Sequence, residues 1–436
     1  MYELAQKGLK AALSMGADEA EIFIGEGHGT SFDIRKNEIE GAKESTSQGL
    51  GIRVVINGAV GFASTNIMSR IEDTAKNAVS SAKVRESDPD WKALPSDEKY
   101  PNVCGIFDTE LKNMELDDCI KKAIEMIDGA KTVSNITVTS GNFSRGFGKS
   151  LIMNSNGIEI EEMGTTVSGF VDTITNKGET STAYDFEISR NNDIDFEIIG
   201  KNAAELARRS QDAISIDPHK TNVILHPFAF SDLLDSTFVP SIDADNVQKG
   251  RSNLINKLGE QIAAENISII DDGLLDGGIE TGRSDDEGVA SQRTNVIENG
   301  VFSSYLYDSY TAGKDNVKST GNGSRSSYFS TPSVGTRNFI VDVPGSDIIE
   351  DTEEGIFINT VIGAHTANGI SGDFSVEARN AFTIKDGMID KPIKSLMISG
   401  NMFDMLKKID GAGNDLRKVG STVTPSIRIP DMSIVG

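Results

Sequence analysis

Apolar positions along the first half of the chain switch between two periods. Leu4, Gly8, Ala11, Ala12 and Met15 recur at helical spacing and share a face, with Gly16 following as a stop. Alternating runs come next: Thr30 to Arg35, then Ile52 to Ile56 and Ala59 to Phe62 on either side of Asn57-Gly58. That dipeptide is a strong hairpin signal, because both positions of a two-residue turn need positive φ. A second helix is predicted from Ile67, Ile71, Ala75, Ala78, Val79 and Ala82, and a third from Leu116, Ile120, Ala123, Ile124 and Ile127. The third has Asp117 and Asp118 in its first turn, where carboxylates suit the helix dipole. Between them, Ser87 to Asn102 is rich in Pro, Asp, Ser and Lys and reads as an exposed loop.

A second meander follows, with Ser150 to Met153 and Ile158 to Glu161 flanking Asn156-Gly157, then Val167 to Ile174 and Tyr184 to Ser189. A fourth helix is predicted from Asp195 to Asp212, with Ile198, Ala203, Leu206 and Ala207 inward. The polar stretch Ile216 to Lys220 contains Pro218 and suits a domain boundary, dividing the chain into 1–216 and 217–436. The second half holds more Gly, Ser, Thr and Asn, with hairpin signals at Asn299-Gly300 and Asp386-Gly387. Its main helical stretches are predicted around Leu254 to Ala264 and Phe403 to Ile409. The fold class expected is α+β: an N-terminal antiparallel sheet with helices, then a mostly β C-terminal domain.

Length supports this division, since 436 residues exceed one ordinary core. A net charge of −24 repels nucleic acid, whose phosphates need clustered Lys and Arg. No run of about 18 apolar residues suggests a membrane span, and Met1 to Lys7 shows no secretory pattern. Cys104 and Cys119 fall in no metal or redox motif. A cytoplasmic protein is expected, with neither nucleic acid nor membrane as partner.

Candidate chemistry centres on Thr221 to Leu234, where an apolar strand-like run delivers His226 to the start of a helix. A zinc peptidase needs His-Glu and a second His one turn later, so that two imidazoles flank a general base. Here Pro227 takes the Glu position, and no His follows in that turn. The remaining histidines, His28, His219 and His365, show no ligand spacing; His28 reads as a turn residue and His219 as linker. Asp285, Asp286 and Glu287 could bind a cation or orient a substrate amine, or could form a solvated acidic turn. Ser319 to Ser326, with Arg325 inside it and Tyr305, Tyr307, Tyr310 and Tyr328 around it, suits either adaptable peptide contact or an ordinary surface loop. Gly146 to Ser150 resembles the end of a phosphate loop but has Phe143 where the first glycine belongs, and strand-like residues follow it.

Taken in order, Asp285 to Gly288, Gln292 to Thr294, Ile297 to Gly300, Leu306 to Ala312, Ser319 to Asn322, Gly400-Asn401 and Gly413 to Asp415 resemble the TldD/PmbA family, also called modulators of DNA gyrase. The resemblance spans essentially the whole chain. Its TldD kind carries His-Glu-x-x-x-His and a late Cys as metal ligands. This chain has His226 to Ser231 at the first place and Val419 to Thr424 at the second, so only one ligand is kept. That is similar to the PmbA kind, also called TldE. The resemblance implies the non-metal subunit of a heterodimeric zinc metallopeptidase acting on unfolded or short peptides. It implies no catalytic residue and no metal in this chain, zinc in a TldD-type partner, and no activity in isolation. Peptide-cleft candidates are then His226, Asp285, Asp286, Glu287, Tyr310 and Arg325. The alternatives are a homodimeric binding or scaffold protein without protease activity, and a metalloenzyme built from scattered histidines.

Overall fold

The structure, a computed structural model, describes residues 1–96 and 99–436. Strands β1 (Glu19–Arg35), β2 (Glu38–Ile56), β3 (Ala59–Thr65), β4 (Ile136–Asn154), β5 (Glu159–Thr175) and β6 (Thr182–Ser189) form one antiparallel sheet in the order β3-β2-β1-β4-β5-β6. The turn between β2 and β3 is the predicted one, with Asn57 and Gly58 at φ 49° and 78°. The strand expected from Thr30 to Arg35 is only the end of β1. Gly25, Gly27 and Gly29 hold the alternate positions before it and give no apolar signal. His28 therefore lies in a strand, not a turn. Gly146 to Ser150 lies inside β4, so no helix N-terminus follows it.

Helices α1 (Tyr2–Ser14) and α2 (Ile71–Lys83) bury Ile22, Ile24, Leu50, Ile52 and Val54 at one end of this sheet. Helices α3 (Leu116–Lys131) and α4 (Phe196–Arg209) cover Phe32, Ile34, Phe143 and Val171 at the other. Four inward assignments are corrected. Ile67 precedes α2 and is exposed, and Leu116, Ile124 and Ile198 face solvent. The buried faces of α3 and α4 are instead marked by Cys119, Met126, Gly129, Phe196 and Gly200. Two of these are glycines because the helices meet backbone to backbone. A Cβ on Gly200 would lie 1.8 Å from the Met126 carbonyl oxygen, and one on Gly129 would lie 2.0 Å from that of Glu197. Between Ser87 and Asn102 the described residues form no regular element, yet Trp91 Nε1 and Leu94 N–H both donate to Glu19 at 2.9 Å. Asp97 and Glu98, also in that expected loop, lie outside the described residues.

The second half carries β7 (His219–Leu225), β8 (Ser268–Asp272), β9 (Arg293–Glu298), β10 (Asn338–Asp342), β11 (Glu354–Ile362), β12 (Asp373–Lys385), β13 (Met388–Ile393), β14 (Leu396–Asn401), β15 (Thr422–Thr424) and β16 (Ile427–Val435). β11, β7, β16, β14 and β12 pair in that order, and β12 pairs back onto β11, so these five strands close into a ring, with β13 added beside β12. β9, β8, β10 and β15 make a second sheet. Helices α5 (Pro227–Thr237), α6 (Ser309–Asp315) and α7 (Met402–Lys408) attach to these sheets around one large apolar core, with a smaller cluster at Ile224, Ile348 and Ile384. No helix forms from Leu254 to Ala264, a correction to the sequence reading: Asn256 and Gly259 adopt φ of 61° and 83° and turn the chain instead. The protein is thus α+β, with an antiparallel N-terminal sheet and a sheet-rich C-terminal half. Among the described residues, no helix is long and apolar enough to cross a membrane.

Candidate functional site

The six candidate residues fall in two places. Asp285, Asp286, Glu287, Tyr310 and Arg325 line a seam between the first sheet and the second half. Glu21 on β1 and Arg53 on β2 are direct cross-strand partners there. Arg53 donates to Glu21 at 2.7 Å and to Glu287 at 3.0 Å. Arg325 pairs with the other oxygen of Glu21, and its Nε donates to the Asp286 carbonyl at 3.0 Å. Asp285 accepts from the N–H groups of Glu287, Val289 and Gly323 at 2.8–2.9 Å. Tyr310 donates to Asp88 at 2.8 Å, and its ring stacks 6.3 Å from Trp91.

The acidic run is therefore not a solvated turn, since Asp285 and Glu287 are each 1% exposed. Burial, reinforced by the Glu287 charge, pushes the Asp285 carboxyl up to about 8. Burial acts the same way on Glu287, but the Arg53 charge and hydrogen bonds from Ser309 and Arg53 hold it below the usual range. Arg53 feels burial as a penalty on its charge, and Glu21 and Glu287 more than reverse it. The arrangement is an ionic clamp whose charges are mutually neutralised. Glu21 and Arg53 escaped the sequence reading because no motif marks them. Their one signal is a charge between apolar neighbours, Ala20 and Ile22 or Ile52 and Val54, at a strand position facing protein.

The Gly/Ser segment is also less adaptable than its composition suggests. Ser319 Oγ donates to the Tyr307 carbonyl at 3.0 Å, and the fully buried Asn322 donates to Asp271 at 2.7 Å and to the Gly335 carbonyl at 2.8 Å. Tyr305 and Tyr307 are core residues, and the Tyr328 ring fills the space above Gly49. The nearby open surface is instead a trough of about 580 Å³ across the first sheet. Gly27, Gly148 and Gly164, register partners on β1, β4 and β5, line it together with Glu162 and Arg190.

His226 stands apart from the seam. It ends the β7 run and caps α5, its Nδ1 accepting the Phe228 N–H at 3.3 Å, with Pro227 at the first helical position. Accepting there leaves the ring proton on Nε2. Burial, then the Arg417 charge, pushes its pKa down to about 4 against a smaller pull from Asp415, so the ring is neutral. It lines a cavity of about 200 Å³ with Tyr184, Asp185, Arg209, Asn359 and Arg417. Arg417 donates to Asp185 at 2.5 Å and lies 4.5 Å from the Phe228 ring centroid.

These residues do not fit a zinc ion. One imidazole is present, its Nδ1 already accepts a helix N–H, and a guanidinium adjoins it. Asp185 is held by Arg417 and by Asn202, the latter at 3.0 Å. Among the described residues, no cluster of three His, Cys, Asp or Glu side chains could hold a metal.

Three family models match the chain: PmbA/TldA metallopeptidase domain 1 over residues 20–82, the central domain over 109–211, and the C-terminal domain over 218–436. An uncharacterized protein of Methanocaldococcus jannaschii is 37% identical over 94% of each chain. Metalloprotease PmbA of Escherichia coli O157:H7 is 25% identical, covering 100% of this chain and 96% of that one. The crystal structure of TldE from Thermococcus kodakarensis superposes with a TM-score of 0.93 at 25% identity, covering both chains completely. A Thermotoga maritima protein described as a modulator of DNA gyrase gives 0.92 at 25% identity, also with full coverage.

Proposed function

The chain belongs to the PmbA/TldD metallopeptidase family, and from that premise we propose that it is the non-metal, TldE-like subunit of a cytoplasmic heterodimeric zinc metallopeptidase. The observation that carries this reading is the neighbourhood of His226. A metallopeptidase subunit needs several ligands, an open position for water, and a general base. Here the residue after the imidazole is Pro227, which offers neither ligand nor base, and Arg417 brings positive charge where a cation would have to sit. The zinc and its activated water would come from a TldD-type partner. This chain would contribute the wall of a closed chamber and part of the path for unfolded or short peptides.

Two features support the second role. The trough runs over bare backbone at Gly148, with the polar side chains of Ser47 and Arg190 reaching over Gly27 and Gly164, a surface that suits an extended peptide backbone. The seam holding Asp285, Asp286, Glu287 and Arg325 fixes the first sheet against the second half, so the trough has a rigid floor. Mixing the chain with a TldD-type subunit and following casein cleavage tests the proposal. Cleavage should need both chains, and they should coelute as a heterodimer. A homodimer that refuses exchange would favour the scaffold alternative.

A further inference from the structure

We infer that the cavity beside His226 recognises the backbone of one residue of an extended peptide, its carbonyl accepting from His226 Nε2–H and its own N–H donating to Asn359 Oδ1. The inference takes its ligand class from the peptide-lining role proposed above; its geometry stands independently. β7 and β11 run parallel with Leu225 opposite Ile358, and the His226 N–H donates to the Ile358 carbonyl at 2.9 Å. Side chains alternate across a strand pair, so the next residues, His226 and Asn359, project to the same side. Both line the cavity.

Asn359 is 9% exposed, and its Oδ1 is buried without a hydrogen bond. Orphaned buried acceptors are rare because each forfeits its hydration, so one that lines a cavity points to an occupant carrying a donor. His226 supplies the complementary half. Its Nδ1 is taken by the Phe228 N–H, and no described side chain or backbone group receives the Nε2 proton. Donor and acceptor side by side match the N–H and C=O of one extended residue, which point the same way, whereas the two ends of a trans amide point apart. The charge balance agrees: Arg209 and Arg417 face Asp185 and Glu205 around a neutral imidazole, which suits a dipolar group better than an ion. A cavity of about 200 Å³ admits a short segment, not a folded chain.

The test uses the full chain with ¹⁵N-labelled imidazoles, four in all, the His226 signal being identified by its loss in His226→Gln. The probe is N-acetylalanine N-methylamide, and the control is the ester analogue O-acetyl-lactic acid N-methylamide, in which an oxygen replaces the N–H of the alanine residue. The amide should shift the Nε2 proton saturably. Affinity should fall roughly tenfold for the ester and for Asn359→Leu, the scale of one hydrogen bond to a buried acceptor. No saturable shift, which would leave the cavity to solvent, overturns the inference, as does equal affinity for amide and ester. The ester comparison needs no variant, so it holds even if Asn359→Leu folds poorly. Heterodimer formation is scored separately: pairing without probe binding sinks only this inference, and probe binding without pairing sinks only the proposed function.

Discussion

The Arg53 guanidinium donates to the Glu287 carboxylate at 3.0 Å across 234 residues of sequence, and the same guanidinium holds Glu21 at 2.7 Å. One cation on the first sheet thereby bridges a carboxylate of its own half and one of the other, and Arg325 supplies the second positive charge. Arg53→Met should cost about 3–5 kcal/mol, because it strands Glu21 and Glu287 as buried charges short of a partner. Combining it with Glu287→Gln should recover part of the loss. Denaturant unfolding of the three proteins measures this, and additive losses would refute the clamp.

The contact between α3 and α4 makes a steric prediction. Gly200→Ala places a methyl where only hydrogen fits, 1.8 Å from the Met126 carbonyl oxygen, so the helices must part. The expected loss is about 1–3 kcal/mol, despite alanine's better helix propensity. Thermal unfolding should show a lower Tm; an unchanged or higher Tm would contradict the close approach.

His226 makes a pH prediction. The folded protein keeps the ring neutral down to about pH 4, whereas the unfolded chain takes up its proton near the ordinary value of 6.5. Between these values the unfolded state binds more protons, so stability from this group is complete above 6.5 and drains away as pH falls toward 4. Burial pushes Asp232 and Asp235 on the following helix up to about 6, which works in the opposite sense: their stabilisation is present at low pH and lost as pH rises. The difference between wild type and His226→Asn isolates the ring, since Asn keeps a side-chain acceptor for the helix cap. Wild type should lose ground to the variant from pH 6.5 to 4, and parallel stability curves would refute the neutral imidazole.

Much of the fold could be read from the chain, and the misses have physical causes. Asn57-Gly58 fixed a turn because its residues tolerate positive φ. The placement of His226 at a strand-to-helix junction was legible because Pro227 suits only the first helical turn. The length of β1 was hidden by glycines at alternate positions. The inward face of α3 was misjudged because Cys119 and Gly129 bury as fully as Leu116 was expected to. The acidic run looked solvated because its counter-charge, Arg53, lies more than two hundred residues away and only the tertiary fold brings it near. Asn359, whose carboxamide completes the small cavity, carries no motif; only its pairing beside His226 reveals it.

The most direct test of the central claim is peptide cleavage by the purified chain, alone and mixed with a TldD-type subunit, with bound metal counted in each sample. The account predicts no cleavage and no stoichiometric zinc for the chain alone, and zinc-dependent cleavage in the mixture. Cleavage by the isolated chain, with a metal ion bound to His226, would contradict it.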